Sequence, residues 1–357
     1  MSDHAEVESP SKPRVTIVVT PRERFGMAQK SLESIYETAD LPFDLIYVEG
    51  GSPRYFSDWL KAIAPVKGFK LIQQDRFVSS NEARNLAVAA SNSEYIVFID
   101  NDVICAEGWL SALVKAADET GADVVSPIIC EGMPLHTCVH RTTGTFTRNR
   151  AEFFAAPHGE RLLIDVMTHF KMPLEKVRHE LRREETDACE FHCILVRRSI
   201  LEKTGPFDEN IRATKEYIDF SMCVLKAGGK LIFEPGALVT YVYPTSASPI
   251  TREEMSYFLL RWSPLWQTQD LAHMQRKWGL TDDGELAEVR DIEYMRRRQF
   301  EGYIKPWIRK LPLVRRSYKL RKAAGWILRH YVDRKVRGLA REYERQRTAH
   351  HRMLGVK

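Results

Sequence analysis

The N-terminal third of the chain alternates between short apolar segments rich in β-branched side chains and longer amphipathic segments. The apolar segments have strand length and are continuous enough to be buried on both faces, whereas the segments between them have helical periodicity. This spacing predicts βαβ units and a mainly parallel sheet in an α/β fold. We predict strands at residues 15–20, 43–48, 69–73, 95–99 and 123–129, with helices near residues 26–38, 57–64, 80–90 and 108–120.

The pattern is less regular after residue 129, and beyond Thr251 nearly all of the chain has helical periodicity. We therefore expect a disordered N-terminus at 1–13, an α/β domain at 14–245 and a basic helical extension at 246–357. Between these limits we predict β-hairpins around 136–147, a helix after Ile164, a regular segment at 189–199, a helix at 215–227, and strands at 231–234 and 238–243.

Charge is divided unevenly along the chain. Residues 291–357 carry 20 Lys and Arg against 6 Asp and Glu, a net charge of +14, which leaves −9 on residues 1–290. An acidic body therefore carries a basic tail, and the two need separate explanations.

The basic tail also contains a helical apolar stripe, and Trp307 and Trp326 add rings that suit an interface. We expect this stripe to pack on the protein's own body or on a second subunit, because burial alone accounts for it. The alternative is binding to an anionic membrane surface. We expect no nucleic acid partner, since no reader fold accompanies the basic residues. The stripe comprises Val314, Tyr318, Leu328, Val332, Val336, Leu339 and Tyr343.

The compartment is also predicted from composition. No apolar run approaches the roughly 20 residues of a membrane-spanning helix, and residues 1–13 are polar and acidic, unlike a secretory signal. We expect a cytoplasmic protein, peripheral at the membrane if the tail binds lipid. The six cysteines form no C-x-x-C pair, so we interpret them as buried thiols.

A buried strand ends abruptly in two carboxylates, Asp100 and Asp102, with Asn101 between them. In extended backbone, residues two apart point the same way, so both carboxylates can converge on one cation. An EF-hand loop is excluded, because Ile104 occupies the next ligand position. The residues alone leave a metal site and a capped turn as equal alternatives.

Polar residues follow other strands at the same predicted sheet edge, where α/β proteins bind ligands. Thr20 and Pro21 follow the first strand, Glu49 ends the second, and Arg84 and Asn85 lie in the helix before the Asp100 strand. An acid, an arginine and a metal pair in one cleft suit a nucleotide diphosphate. Neither G-x-G-x-x-G nor the P-loop motif occurs, which removes the main support for dinucleotide oxidoreductases and P-loop NTPases.

The order of these pieces resembles a family 2 glycosyltransferase with the GT-A fold, over roughly residues 14–245. The matching segments are residues 15–20, VEGGS at 48–52, NEARN at 81–85, FIDND at 98–102 and KEYIDFS at 215–221.

The resemblance implies sugar transfer from a nucleotide-diphosphate sugar, with UDP the expected nucleotide, to a glycan or other hydroxyl acceptor. It implies Asp100 and Asp102 as the D-x-D metal motif, with Mn²⁺ or Mg²⁺ as cofactor. It further implies nucleotide-sugar binding by Thr20, Pro21, Glu49, Arg84, Asn85, Asp100 and Asn101.

One position departs from the family pattern. The family has a Glu-Asp pair before the x-Asp of this helix, with the Asp as general base, whereas this chain has Glu216-Tyr217. Tyrosine is a poor base near neutral pH, because its ordinary pKa is about 10. Glu216 and Asp219, three apart on one helical face, are the remaining candidates. We expect inversion, and an inactive or retaining variant stays open.

Histidine and the acceptor side complete the predicted site. Family members often have a late His as third metal ligand, but this chain has Tyr241 in that stretch, and His192 is a weak substitute. We assign Glu190 and Tyr217 to the acceptor side. Alternating His136, Cys138 and His140, with Cys130 nearby, form a less favoured zinc site.

Two other functions compete with this interpretation. One is a catalytically inactive nucleotide- or glycan-binding protein on the same fold, since fold alone does not decide function. The other is a sugar-phosphate nucleotidyltransferase, which the missing glycine-rich loop after the first strand disfavours.

Overall fold

The computed structural model describes residues 12–22, 25–242, 251–281 and 285–353. Most of the predicted N-terminal disorder (1–11) and the end of the predicted 238–243 strand lie outside these residues. The N-terminal part alternates strands and helices in this order: β1 Val15–Thr20, α1 Ala28–Thr38, β2 Phe43–Gly50, α2 Arg54–Lys67, β3 Lys70–Gln74, α3 Ser80–Ala90, β4 Tyr95–Asp100, β5 Val103–Cys105, α4 Trp109–Thr120 and β6 Val124–Glu131.

The middle of the chain has shorter elements. They are β7 Val139–Arg141, β8 Gly144–Thr145, α5 Arg150–Ala155, β9 Val166–Met167, α6 Leu174–Val177, β10 Glu184–Glu185, β11 Cys193–Arg197, α7 Arg198–Thr204, α8 Glu216–Lys226 and β12 Leu231–Tyr241. Helices follow: α9 Met255–Arg261, α10 Pro264–Trp278, α11 Glu285–Gln299, a π-helical turn Phe300–Ile304, α12 Lys305–Arg309, α13 Pro312–Arg316 and α14 Tyr318–Met353.

One central sheet organises the body, with strand order β10-β12-β6-β11-β4-β1-β2-β3. The β1–β2, β1–β4, β2–β3 and β6–β12 ladders are parallel. Strand β11 lies between β4 and β6 and runs antiparallel to both. The predicted α/β class and mainly parallel sheet are confirmed, and this insertion of β11 sets the geometry of the site.

Both faces of the sheet are buried along central strands such as β1 and β4, which explains why these strands are largely apolar, whereas the outer strands β3 and β10 are partly exposed and polar. Along β1, Ile17 and Val19 pack into the core on one face with α1, α2 and α4. Val18 packs into the opposite core with α3, α7 and α8. Period-two alternation of the strand therefore supplies two cores, as in doubly covered sheets.

The C-terminal helices contact this body through a second set of apolar clusters. Val332 and Val336 of α14 are buried with Phe258 and Leu259 of α9. Farther along α14, Tyr343 is buried with Trp266 of α10. Its hydroxyl donates to Oε2 of Glu82 on α3 at 3.3 Å. The second half of α14 therefore packs against α9, α10 and α3.

The first half of α14 differs from the predicted stripe. Tyr318, grouped by periodicity with the covered residues, is 71% exposed, and Trp326 is 63% exposed. Within the described ranges, no helix combines the length and the apolar character needed to cross a bilayer.

The middle segment was the least well predicted part. In the region of the hairpins predicted around 136–147, β7 forms an antiparallel hairpin with the preceding β6, whereas β8 pairs antiparallel with the more distant β9. The region expected to form a helix after Ile164 begins with β9, and the short α6 follows at Leu174. The two predicted strands near the end of the body form one, β12, with an irregularity between Glu234 and Leu238. These elements are held by long-range pairing, which local periodicity does not encode.

Candidate active site

The carboxyl ends of β1 and β4 bring Thr20 and Asp100 together, because the two strands pair in parallel with these residues in register. The Thr20 hydroxyl donates to Oδ1 of Asp100 at 3.3 Å. Pro21 and Asn101 are buried beside them, and the backbone N–H of Arg22 donates to the Asn101 side chain at 3.1 Å. This edge is the predicted position of the site in a parallel sheet.

His192 joins this edge because β11 runs antiparallel to β4 and places the residue before Cys193 beside Asp100. The Asp100 backbone N–H donates to the His192 carbonyl at 3.2 Å. His192 Nδ1 lies 2.9 Å from Oδ2 of Asp100. The imidazole also stacks on Tyr241, with ring centroids 4.0 Å apart and planes 14° apart. Tyr241 lies in the stretch where family members often have a metal-binding His. In this chain it packs against the ring of His192 instead.

Asp100, Asp102 and His192 form a cluster of potential metal ligands. One ligand atom from each lies within 4.8 Å of the others, and all three residues are buried. Burial acts to raise the pKa of Asp100, but Arg22 and His192 outweigh it and hold the pKa at about 2. The two carboxylates are suitable ligands for Mn²⁺ or Mg²⁺, and an imidazole nitrogen is a ligand typical of transition-metal ions. The residues present therefore fit a divalent cation.

Three guanidinium groups surround the carboxylates of Asp100 and Glu216. Arg22 Nε lies 3.4 Å from Asp100 Oδ2, and its Nη1 lies 3.4 Å from Glu216 Oε1. Arg261, from α9, lies 3.9 Å from the same Glu216 oxygen. Arg84 is the third group, and its charge acts on both Asp100 and Glu216. The cluster concentrates positive charge beside the potential metal ligands.

Arg84 is fully buried, although a guanidinium is costly to bury. Its Nη1 donates to the Asn81 side-chain oxygen at 2.8 Å, and its Cζ lies 3.5 Å from the ring centre of Phe191. In the described part of the chain, its Nε and Nη2 have no hydrogen-bond partner. Burial lowers the pKa of Arg84 to about 10, so it stays charged near neutral pH. Two of its donors are therefore unpaired inside the buried cluster, and Arg84 itself does not line the cavity beside Asp100.

The two acidic candidates on α8 face different surroundings. Glu216 and Asp100 line one cavity at this sheet edge, the main cavity of the site. Asp219 instead accepts from the indole N–H of Trp278 at 2.7 Å and pairs with Lys277 at 2.8 Å. Burial acts to raise the pKa of Glu216, but Arg261, Arg22 and Arg84 outweigh it and lower the pKa. Burial raises the pKa of Asp219. The shared helical face expected from their spacing does not bring both to the cavity.

The acceptor-side candidates belong to a further network. Glu190 Oε2 lies 3.0 Å from His140 Nε2 and 3.5 Å from Arg141 Nε. The Tyr217 hydroxyl donates to Asp165, which also pairs with Arg141 at 3.0 Å. Burial raises the pKa of Tyr217 well above its ordinary value, so its phenol is not a base at neutral pH.

Glu49 and Asn85 make contacts with neighbouring loops and helices. Glu49 accepts from the Ser52 backbone N–H at 3.2 Å and from Gln73 at 3.3 Å. The Asn85 side chain bonds both the N–H and the carbonyl of Phe207, each at 2.9 Å. Neither residue lines the main cavity, and the same is true of five other residues predicted to bind the nucleotide-sugar or the metal: Thr20, Pro21, Arg84, Asn101 and Asp102.

The main cavity has a volume of about 530 Å³ and opens beside these groups. Four of the predicted site residues line it, namely Asp100, Glu190, Glu216 and Tyr217. Sequence reasoning missed its cationic lining: Arg22, Lys171, Lys215, Arg261 and Arg298. The last two come from α9 and α11, in the segment interpreted as an extension. Only tertiary packing brings these helices to the sheet edge.

The less favoured zinc site is not formed. His140 Nδ1 lies 2.7 Å from Glu131 Oε2, and its Nε2 lies 3.0 Å from Glu190 Oε2. His136 Nδ1 lies 2.7 Å from the Thr240 hydroxyl. Across the described ranges, no group of three metal-ligand side chains includes Cys130 or Cys138. The expected alternation fails because β7 begins only at Val139.

The sheet and its acidic, arginine-rich edge define a GT-A-type α/β protein. The model of glycosyl transferase family 2 matches residues 16–205, more than half of the chain, so the chain belongs to this family. Among solved structures, it superposes on "Crystal structure of GalNAc-T7 with UDP, GalNAc and Mn2+" with a TM-score of 0.50 and 13% identity. The match covers 85% of this chain and 59% of that one, and supports the fold.

Two curated relatives are polypeptide N-acetylgalactosaminyltransferases. Human polypeptide N-acetylgalactosaminyltransferase 15 is 23% identical over 239 residues, which is 65% of this chain and 36% of the relative. Mouse polypeptide N-acetylgalactosaminyltransferase 12 is 22% identical over 263 residues, or 72% and 44% respectively. The chain spans less than half the length of these relatives.

Proposed function

We propose that the chain transfers a sugar from a nucleotide-diphosphate sugar, with UDP as the nucleotide, to a hydroxyl group of a glycan or other acceptor. The observation that carries this proposal is the Asp100–Asp102–His192 cluster beside the guanidiniums of Arg22 and Arg84. A bound diphosphate is stabilised by positive charge, which can come from a cation held by carboxylates and from guanidinium groups that donate to phosphate oxygens. Family membership and the solved neighbour with UDP and Mn²⁺ support the same donor class.

A divalent cation, Mn²⁺ or Mg²⁺, belongs to this proposal. Asp100, Asp102 and His192 would hold it, with His192 as the third ligand that the Tyr241 stretch does not supply. When bound, such a cation neutralises charge that develops on a leaving diphosphate. The guanidinium groups of Arg22 and Arg84 would help to bind the same diphosphate, because both are close enough to Asp100 to lower the pKa of its carboxyl group.

Glu216 is the proposed general base. Its carboxylate lines the cavity and is ionised near neutral pH, because the surrounding guanidiniums keep its pKa low. In a direct displacement, the acceptor oxygen bonds to the anomeric carbon as the carbon–phosphate oxygen bond breaks. The acceptor proton passes to Glu216, and the diphosphate leaves with the electron pair, which inverts the configuration. Asp219 instead positions α8 through Lys277 and Trp278.

The acceptor would enter on the side of Glu190 and Tyr217, which line the same cavity as Glu216. Their partners, His140 and Asp165, keep these side chains in place. We propose residues 14–245 as the body of the catalytic unit. Because Arg261 on α9 contacts Glu216, the following helices contribute to the site.

A non-catalytic nucleotide- or glycan-binding protein is the second candidate. The observation in its favour is that Glu216 lies between Arg22 and Arg261, which makes it a weak base. Tyr217, with a raised pKa, does not replace it. Binding without turnover would support this candidate.

Calorimetry with UDP, in the presence of Mn²⁺ and then of a chelator, tests the donor site. We expect Mn²⁺ to strengthen binding of UDP by the wild type at least about tenfold, and Asp102→Asn to lose most of this gain. Asn matches the shape of Asp102, which is only 4% exposed. Asp58→Asn is the matched control, because this exposed Asp lies on α2. Unchanged metal dependence in Asp102→Asn would remove Asp102 from the site.

A further inference from the structure

The region from α12 to the first half of α14 exposes apolar side chains in unusual density. Fifteen large apolar side chains are exposed among the described residues, and seven of them lie between residues 307 and 331. Scattered exposed apolar residues are normal on a soluble protein, but a concentrated patch marks an interaction site. The seven are Trp307, Leu311, Tyr318, Leu320, Trp326, Ile327 and Tyr331.

The same region has a one-sided charge. Residues 302–332 contain nine Lys and Arg and no Asp or Glu, although the rest of the chain is rich in acids. Glu301 and Asp333 lie just outside this stretch. The acidic body of a second copy of this chain would complement the positive charge of this surface, but it would not complement the exposed apolar side chains. The surface matches a lipid bilayer with anionic headgroups.

A groove joins the apolar and cationic groups. It has a volume of about 790 Å³ and lies between α12 and α14. Tyr318 and Trp326 supply its aromatic walls, and Arg321, Lys322 and Arg329 lie on the same face of α14. Aromatic rings at headgroup depth and Lys or Arg beside phosphate are the usual pattern at a membrane interface.

The contrast within α14 shows that this exposure is local. Beyond Tyr331, the large apolar side chains Val332, Val336 and Tyr343 are buried against α9 and α10. One half of the helix is therefore anchored to the body, and the other half presents Trp326 and Ile327 to solvent. An anchored helix fixes the orientation of the exposed half relative to the cavity.

We propose that residues 305–331 form a docking surface for an anionic lipid bilayer, with Trp307 and Trp326 inserted at headgroup depth. The surface is separate from the donor site, because none of its described side chains lines the main cavity. Membrane docking would place the catalytic body beside an acceptor presented at a membrane surface.

Co-sedimentation of the full chain with vesicles tests the proposal. We expect binding to phosphatidylcholine vesicles that contain about a third phosphatidylglycerol, and at least about tenfold weaker binding to pure phosphatidylcholine. Binding should weaken from about 0.15 M to about 1 M salt, because the Debye length falls from about 8 Å to about 3 Å. Equal binding to both vesicles, or none to either, would overturn the proposal.

Two variants separate the apolar and cationic contributions. Arg321→Gln with Lys322→Gln should weaken binding about tenfold or more, and Trp326→Glu should weaken it further. Lys61→Gln with Lys115→Gln is the matched control, because both are exposed lysines on helices of the body. An equal loss in the control would show a net-charge effect only and overturn the assigned surface. The proposal would also be overturned if the wild type dimerised in the absence of vesicles and Trp326→Glu abolished this dimer, because the patch would then bind a second copy of the chain.

Discussion

Separate replacement of Glu216 and Asp219 by their amides tests which carboxylate of α8 serves the reaction. Both residues are buried acids on one helix, three positions apart, and each change replaces a carboxylate by an amide of the same shape. The two variants are therefore matched controls for one another. The structure predicts opposite outcomes, because only Glu216 lines the main cavity.

Asp219→Asn should affect stability and leave turnover unchanged. The amide oxygen still accepts from the Trp278 indole, so this bond of 2.7 Å is retained. The ion pair with Lys277 is lost, but Lys277 retains its ion pair with Asp208 at 2.9 Å, and its side chain is partly exposed to solvent. Because burial already disfavours the charged form of Asp219, we expect a loss of only about 1 kcal/mol in the free energy of unfolding.

Glu216→Gln should leave donor binding nearly unchanged and lower kcat by roughly 10²–10⁴-fold, the usual contribution of a positioned base. Stability should also fall, because the buried Arg261 loses the charge of its ion-pair partner, whereas Arg22 keeps Asp100 as a partner at 3.4 Å.

The assay is release of nucleoside diphosphate under steady-state conditions, with urea denaturation of both variants in parallel. Loss of turnover in Asp219→Asn, together with full activity in Glu216→Gln, would show that the base is misassigned. Full activity in both would place the proton acceptor outside α8.

Two further predictions follow from burial and charge. Burial acts to raise the pKa of Glu216, but the guanidiniums outweigh it and lower the pKa, so Glu216 should be ionised from about pH 5.5 to about pH 8. The pH profile of kcat/KM in this range should therefore show no acidic limb due to Glu216, that is, no decrease towards low pH that disappears in Glu216→Gln. Such a limb in the wild type would contradict this assignment. Val336→Ala should reduce the free energy of unfolding by roughly 1–2 kcal/mol, because Val336 is buried against α9, whereas exposed Val66→Ala should change it little. Equal urea midpoints for these two variants would contradict the packing of α14.

The strand ends were predictable because they depend on local pattern. Continuous apolar runs indicated strands buried on both faces, and helix α3 was predicted with its observed bounds. Asp100 and Asp102 stood out because carboxylates directly follow such a run. The resemblance to family 2 glycosyltransferases and the GT-A fold are confirmed by the family match and the solved neighbour.

The rest of the site depends on pairing between distant segments. His192 meets Asp100 only because β11 inserts antiparallel beside β4. Arg261 reaches Glu216 only because α9 packs on the body. Spacing on α8 suggested a shared face for Glu216 and Asp219, but Trp278 and Lys277 of α10 hold Asp219 elsewhere. None of these contacts leaves a local sequence signal. The roles of the individual site residues stay predictions.

Turnover of a panel of nucleotide-sugars, with Mn²⁺, with Mg²⁺ and with a chelator, tests the central claim most directly. UDP-sugars are the first donors to include, because UDP is the proposed nucleotide. Wild-type protein should release nucleoside diphosphate from at least one UDP-sugar in a metal-dependent reaction, and both Asp102→Asn and Glu216→Gln should lower its rate by roughly 10²-fold or more. Tight, metal-dependent binding of UDP without release from any donor, with or without added acceptors, would contradict the transferase and favour a binding protein.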